Sequence, residues 1–158
     1  MKAASIITIA SMVCIAAAKA VGVNLVTESI NFKDVDNKGL YSVYEGADLN
    51  FLFLGNSSVG QQLKFDANKT QLYDDSINYP KNFTVYDNVA ALTVIQTNAN
   101  FAVVGDYISI NGSTTGFYAC KNIRDPEQYS VRDYALTFFE DVDAPSGCKP
   151  VKVKVKQA

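Results

Sequence analysis

Short runs of β-branched, aromatic and aliphatic residues recur along the chain, separated by Gly, Asn, Asp and Pro. Runs of this length, bounded by these turn-forming residues, are typical of strands in an all-β domain and not of amphipathic helices. About ten short strands predict a single-domain antiparallel β-sandwich or barrel. The predicted strands are residues 23–27, 40–44, 49–54, 61–65, 82–86, 91–97, 101–104, 107–111, 116–120, 135–140 and 150–156. Residues 125–133 have weak helical potential and predict one short helical turn.

Several of these strands alternate apolar and polar residues, as strands with one face on a core and one in water do. Ile108 and Ile110 are expected to point inward. Residues 49–54 are apolar on both faces, so we expect a central strand covered on both sides. The Val/Lys alternation of residues 149–156 predicts an edge strand whose lysines deter aggregation. A basic strip for acidic polysaccharide or a membrane surface is the alternative.

The first twenty residues have the features of a secretory signal peptide. Lys2 supplies the positive n-region, residues 3–18 are almost wholly apolar, and Ala18-Lys19-Ala20 matches the small-x-small cleavage pattern. The apolar run is shorter than the ~20 residues of a membrane-spanning helix. We therefore predict a signal peptide over residues 1–20, a secreted domain over residues 21–158, and no transmembrane segment in the mature chain.

Charge and histidine content exclude several classes of function. The formal net charge is −2, and removal of Lys2 and Lys19 takes it to about −4. Nucleic-acid-binding domains carry clustered positive charge, so we expect no nucleic-acid partner. The chain contains no histidine, which excludes Ser-His-Asp and Cys-His catalysis and removes the commonest zinc ligand. We expect neither a cofactor nor a metal site.

Two cysteines remain once the signal peptide has left with Cys14. In an oxidising secretory route, Cys120 and Cys148 are most simply paired in one disulfide. The alternative is a reactive thiol, but no histidine is available to activate one.

Four Asn-x-Ser/Thr sequons follow the predicted signal peptide, in or beside predicted turns or on the outward face of a strand. They begin at Asn56, Asn68, Asn82 and Asn111. In residues 82–86, the alternation predicts that Phe83 and Val85 point inward while Asn82 and Thr84 point outward. Four sequons in one small secreted domain predict N-glycosylation of at least some of them in a eukaryotic host.

Acidic residues allow one enzymatic alternative, because glycoside hydrolases need two acids at a suitable separation and no histidine. The candidates are Asp74-Asp75 and Glu140-Asp141-Asp143. Adjacent acids in Asn- and Asp-rich turns are normally solvated loop residues, so we expect no catalytic activity.

Tyrosines allow a carbohydrate-binding alternative, because aromatic rings stack on sugars while nearby Asn and Asp accept hydroxyl hydrogen bonds. The rings chosen for this role lie near polar loops: Tyr73, Tyr79, Tyr86 and Tyr129. Many tyrosines in strands are instead packing residues.

Two parts of the chain resemble the small cell-wall mannoproteins of Candida-type yeasts. The first is GLYSVYEGA at residues 39–47 with NFLFLG at 50–55, and the second is FYACKNIRDP at 117–126 with Tyr129-Ser130. The resemblance implies a surface or wall protein and supplies no active-site residues. Family members commonly carry a Ser/Thr-rich stalk and a GPI signal after the domain. The sequence ends at Ala158 with neither, so we expect non-covalent retention in the wall or release.

These observations together predict a secreted, N-glycosylated β protein of a yeast-like fungus, located in the cell wall or extracellularly. Its expected role is structural or interactional, and its expected partners are cell-wall polysaccharide or other wall proteins. A carbohydrate-binding module and a carboxylate-based glycoside hydrolase are the alternatives.

Overall fold

The computed structural model describes residues 19–95, 100–140 and 143–158. Most of the predicted signal peptide, the end of the strand predicted at residues 91–97, and Asp141 lie outside the described residues. The described residues form thirteen strands and one short 3₁₀ helix, Tyr129–Val131. The strands are β1 Val21–Glu28, β2 Leu40–Tyr44, β3 Leu49–Leu54, β4 Gln62–Asp66, β5 Gln71–Asp74, β6 Lys81–Tyr86, β7 Val89–Thr93, β8 Phe101–Val104, β9 Tyr107–Ile110, β10 Phe117–Cys120, β11 Ala135–Phe138, β12 Lys149–Pro150 and β13 Lys152–Gln157.

All of these strands belong to one antiparallel sheet that curls into a half-barrel. The strand order is β12-β10-β11-β3-β7-β6-β5-β4-β1-β13-β9-β8, with β2 paired to β3 beside this path. The curl brings distant strands together: the rings of Phe83 in β6 and Phe101 in β8 have centroids 5.5 Å apart. Five strands separate β6 from β8 in the sheet order. The prediction of an all-β antiparallel fold is confirmed.

The inner face of the curl holds the main core, to which almost every strand contributes apolar side chains. Ile108 and Ile110 are 0% and 3% exposed, which confirms their predicted inward orientation. Phe83 is buried and Val85 packs against the same core. Full burial of one such side chain stabilises the fold by about 1.5–3 kcal/mol, and this face buries more apolar side chains than the outer face of the sheet does.

A second, smaller core covers the outer face of β3, β7 and β11. The connection between β10 and β11, residues 121–134, crosses this face and is called the strap below. Ile123 and Tyr129 of the strap pack on a cluster that includes Phe53, whose ring centroid lies 6.0 Å from that of Tyr129. Because Leu52 is equally buried in the inner core, β3 is covered on both sides, as predicted. The predicted helical turn corresponds to the 3₁₀ helix of the strap.

Two strand assignments differ from the predictions. The edge-strand interpretation of the C-terminus is wrong, because β13 pairs with β1 along six residues and with β9 through Lys154 and Tyr107. β5 has no predicted counterpart, since Gln71–Asp74 contains little β-branched or aromatic character. Its pairing with β4 and β6 defines it as a strand.

Thr84 does not point into water as the alternation predicted, because it is 1% exposed. Its cross-strand partner on β7 is Ala91, which belongs to the outer core. The outer core therefore extends over this part of β6. A polar residue on a strand does not by itself show that its face of the sheet is exposed to solvent.

A disulfide joins Cys120, at the end of β10, to Cys148, just before β12. The two residues are 28 positions apart, so the bond closes the loop that contains the strap and β11. Cys120 is 1% exposed. The bond fixes the start of the C-terminal segment, which then crosses from the edge of β10 to the middle of the sheet beside β1.

Candidate functional site

A groove of about 260 Å³ opens where β1, β10 and the β12–β13 segment meet, and it is called the seam groove below. Its lining residues are 28–31, 115–118 and 150–152. Phe117 and Val151, which are 1% and 5% exposed, are the most buried of them. The backbone N–H of Val151 donates to the carbonyl of Phe117 at 3.0 Å. The groove therefore overlies the seam at which the C-terminal segment joins two distant parts of the sheet.

One rim of the seam groove is polar. Glu28 and Lys152 are cross-strand partners on β1 and β13. The hydroxyl of Tyr107 donates to the Glu28 carboxylate at 2.9 and 3.0 Å, and the Lys152 Nζ lies 5.3 Å from the centre of the Tyr107 ring. This hydrogen bond to Glu28 is the main cause that raises the pKa of Tyr107. The rim thus presents a carboxylate and an ammonium group, whose opposite charges balance, together with a neutral phenol.

The other side of the seam groove combines an aromatic ring with neutral polar groups. Tyr118 is half-buried, and its ring meets that of Phe139 edge-on at 6.0 Å. Asn31 and Thr115 are exposed, and Ile30 projects with 88% of its surface in solvent. Small-molecule sites are typically concave and largely apolar with a few polar groups that fix orientation. The seam groove has this composition.

A second polar constellation lies at one end of the inner face and is called the polar row below. It runs through Lys81, Asn50, Ser42, Gln61 and Asp74. The Lys81 Nζ donates to Asn50 Oδ1 at 2.8 Å, and Asn50 Nδ2 donates to Ser42 Oγ at 3.5 Å. The backbone N–H of Ser42 donates to Gln61 Oε1 at 2.8 Å, and Gln61 Nε2 donates to Asp74 Oδ2 at 2.7 Å.

The polar row has the character of a structural network. Lys81 and Asp74 are only 5% and 8% exposed, and buried polar groups are costly unless they are hydrogen-bonded. The row members satisfy one another, and the row links β2, β3, β5 and β6 through side chains. We therefore assign ligand-binding potential to the seam groove and a stabilising role to the row.

The four tyrosines chosen from the sequence do not form one surface. Tyr79 and Tyr86 are 66% and 49% exposed. Tyr79 precedes β6 and Tyr86 is its last residue, so the length of the strand, roughly 17 Å or more, separates them. Tyr73 is half-buried within β5. Tyr129 packs on the outer core.

The four sequon asparagines differ in accessibility. Asn56, Asn68 and Asn111 are exposed, whereas Asn82 is half-buried within β6. The Asn111 side-chain amide donates to both carboxylate oxygens of Glu140 at 2.7 Å.

The acidic candidates have separate environments. Asp74 belongs to the polar row, whereas its neighbour Asp75 is exposed. Glu140 binds Asn111, and Asp143 is exposed. Within residues 19–95, 100–140 and 143–158, no three Cys, Asp or Glu residues gather in a way that could hold a metal ion. Over the same ranges, no helix is long and apolar enough to cross a membrane.

A family described as a domain of unknown function (DUF7907) matches residues 20–156. The chain belongs to this family. The DUF7907 match contains the seam groove, the polar row, the strap and both cysteines of the disulfide.

Cell wall proteins of Candida albicans strain SC5314 are relatives of this DUF7907 chain. Cell wall protein RHD3 is 35% identical over 108 residues, which cover 65% of the chain and 52% of RHD3. Cell wall protein PGA31 is 32% identical over 167 residues, which cover 98% of the chain and 51% of PGA31. Cell wall protein PGA30 is 28% identical, covering 99% of the chain and 55% of PGA30. The chain therefore spans about half the length of these relatives, which confirm the resemblance to Candida-type wall proteins.

No solved structure matches the DUF7907 chain. Sequence reasoning missed the seam groove, because its residues come from three segments separated by more than thirty positions each. Local alternation describes each segment as a strand or turn and carries no information about which segments meet.

Proposed function

We propose that this chain is a secreted protein of the fungal cell wall with a structural or interaction role and no catalytic activity. The supporting observation is the similarity to PGA31, a cell wall protein, over 98% of the chain. RHD3 and PGA30 carry the same description. An absence of histidine and the separate environments of the acidic candidates favour a non-catalytic role.

Secretion and N-glycosylation are part of this proposal. The residues before Val21 have the pattern of a signal peptide. A disulfide is typical of proteins that fold in an oxidising compartment. Three of the four sequon asparagines are exposed, so glycans attached to them would extend into solvent.

Cell fractionation tests the location. Expressing cells are separated into medium, detergent extract and glucanase-released wall, and each fraction is run before and after N-glycan removal. We expect recovery in the wall with a mobility shift. The matched control lacks residues 2–20 and should stay inside the cell. Recovery of the full chain only in the medium, without a shift, would contradict both the wall location and the glycosylation.

A second function, binding of a neutral wall polysaccharide, is favoured by the chemistry of the seam groove. Tyr118 supplies a ring on which a sugar can stack, and Asn31 and Thr115 supply groups that hydrogen-bond hydroxyls. The balanced charges of Glu28 and Lys152 at the rim suit an uncharged polymer.

Binding to insoluble β-glucan and chitin tests this second function. We expect Tyr118→Ala to weaken binding roughly tenfold, since a stacked ring contributes about 0.5–1.5 kcal/mol beyond its buried area. Tyr86→Ala is the matched control, because Tyr86 is 49% exposed and does not line the groove. Loss of binding in Tyr86→Ala with normal binding in Tyr118→Ala would move the site to the tyrosine-bearing loops.

A further inference from the structure

The strap covers the outer core and is held partly by hydrogen bonds to itself. The backbone N–H of Asn122 donates to the carbonyl of Ser130 at 2.9 Å, and that of Ile123 donates to Ser130 Oγ at 3.0 Å. Asp125 is 4% exposed and accepts hydrogen bonds from the backbone N–H and the hydroxyl of Ser130. The strap is therefore a compact loop with a buried carboxylate at its centre.

Glu45 reaches this loop from the sheet. It follows β2 directly, is 6% exposed, and its Oε2 accepts the backbone N–H of Glu127 at 2.9 Å. Its other carboxyl oxygen, Oε1, is fully buried and has no hydrogen-bond partner among the described residues. The Glu45 and Asp125 carboxyl groups lie within hydrogen-bonding reach of each other. A buried polar atom without a partner destabilises the fold.

Two adjacent buried carboxyl groups cannot readily both be ionised. Burial is the largest cause that raises the pKa of Glu45, and the charges of Asp125 and Glu127 raise it further, against the opposing hydrogen bond from the Glu127 N–H. The charged groups that act most on Glu45 are thus both acidic and both in the strap. A protonated carboxyl is a hydrogen-bond donor, so a proton on Oε1 would give this atom a partner in Asp125.

We propose that Glu45 and Asp125 share one proton and that this proton latches the strap over the outer core. In the latched state the Glu45 carboxyl donates to the Asp125 carboxylate. Release of the proton to solvent breaks that hydrogen bond and leaves two facing negative charges. The strap then opens more often, which exposes the apolar cluster that contains Phe51 and Phe53.

The direction of the pH effect follows from proton binding. The folded protein holds this proton at pH values where the unfolded chain, with an ordinary glutamate pKa of 4.5, has lost it. The latch is fully present below that value and is lost as the pH rises through the higher pKa of the folded state. The strap is therefore expected to be most protected in acid.

Hydrogen–deuterium exchange of the disulfide-bonded protein at pH 4 and pH 7 tests the latch. We expect the protection factors of the Ile123, Glu127 and Ser130 amides, corrected for intrinsic exchange, to fall by more than about threefold between the two pH values. Glu45→Gln should abolish this fall, because its amide donates to Asp125 at either pH while its oxygen accepts from Glu127. Glu127→Gln is the matched control and should keep the fall, since only the backbone of Glu127 bonds Glu45 and its charge is the smallest of the causes that raise the pKa of Glu45.

A fall of equal size in the wild type and Glu45→Gln would overturn the proposal. Recovery of wild-type protection at pH 7 on addition of Ca²⁺ would also overturn it, because the pair would then hold a metal ion instead of a proton. If Glu45→Gln does not fold, Asp125→Asn serves in its place. Its amide can donate to Glu45 while its oxygen accepts from Ser130, so it should likewise remove the pH dependence.

Discussion

Asp74 and Lys81 stand directly opposite each other on β5 and β6, and each hydrogen-bonds a neutral amide. Asp74 accepts from Gln61 at 2.7 Å, and Lys81 donates to Asn50 at 2.8 Å. The polar row thus connects two buried, opposite charges through a chain of neutral groups that reaches across four strands. Because each link is a partly buried hydrogen bond, loss of a single member should destabilise the fold more than loss of an exposed hydrogen bond would.

Asp74→Ala should lower the free energy of unfolding by about 2 kcal/mol, because it leaves two partly buried hydrogen bonds without their acceptor. The donors are Gln61 Nε2 and the backbone N–H of Ser76, which bonds Asp74 Oδ1 at 2.8 Å. Urea denaturation measures the change. Asp75→Ala is the control and should stay within about 0.5 kcal/mol of the wild type, since Asp75 is exposed. Equal effects of the two substitutions would show that the row does not contribute to stability.

Removal of the disulfide should destabilise the protein, because the unfolded chain then gains conformational entropy. For a closed loop of 28 residues, the chain-entropy relation gives about 3.5 kcal/mol. The free energy of unfolding of the double variant Cys120→Ala/Cys148→Ala, measured by urea denaturation, should therefore be lower by that amount. A reductant should lower the stability of the wild type and leave the double variant unchanged. A reductant effect on the double variant would point to another cause.

Local patterns predicted the strands well where apolar residues are dense. The bounds of β2, β3 and β8 equal the predicted ranges, because each contains mostly aliphatic and aromatic residues between turn formers. Gln71–Asp74 lacks that density and is a strand because β4 and β6 lie on either side of it. The C-terminal alternation correctly indicated a strand, but its neighbours depend on how the sheet curls.

The sites could not be predicted from local patterns, because their residues come together only in the fold. Glu45 and Asp125 are 80 positions apart, and each looks like an ordinary acid in a turn. Their partnership depends on the strap crossing the outer face of β3. Tyr129 shows the converse, since a tyrosine beside polar residues in the sequence packs on Phe53 in the structure.

Asp34 should stabilise the fold only where its carboxyl is ionised. It forms an ion pair with Lys149 and accepts a hydrogen bond from Tyr134 at 3.0 Å. The Lys149 hydrogen bond is the main cause that lowers the pKa of Asp34 below its usual 3.8. This contribution is present above pH 3.8 and is lost as the pH falls through the lower pKa of the folded state. Asp34→Asn should therefore lower Tm at pH 6 and have little effect near pH 2.

Thermal unfolding of Asp34→Asn and the wild type across this pH range measures the effect, with Asp75→Asn as the control. The pair is partly exposed, so the difference in Tm should be small and should shrink in high salt. An undiminished difference at pH 2 would show that the substitution disturbs packing and that the ion pair is not responsible.

The glycans are expected on the exposed sequons and not on Asn82. Asn82 lies in the middle of paired strands, opposite Tyr73 of β5 and Thr93 of β7, and is half-buried. A glycan there would crowd both neighbouring strands, whereas Asn56 and Asn68 lie on exposed connections. Intact-mass measurement of the protein secreted from yeast should show one glycan fewer in Asn56→Gln and in Asn68→Gln, and no change in Asn82→Gln. Loss of a glycan in Asn82→Gln would mean that modification precedes formation of β6, because the folded strand does not present this side chain freely.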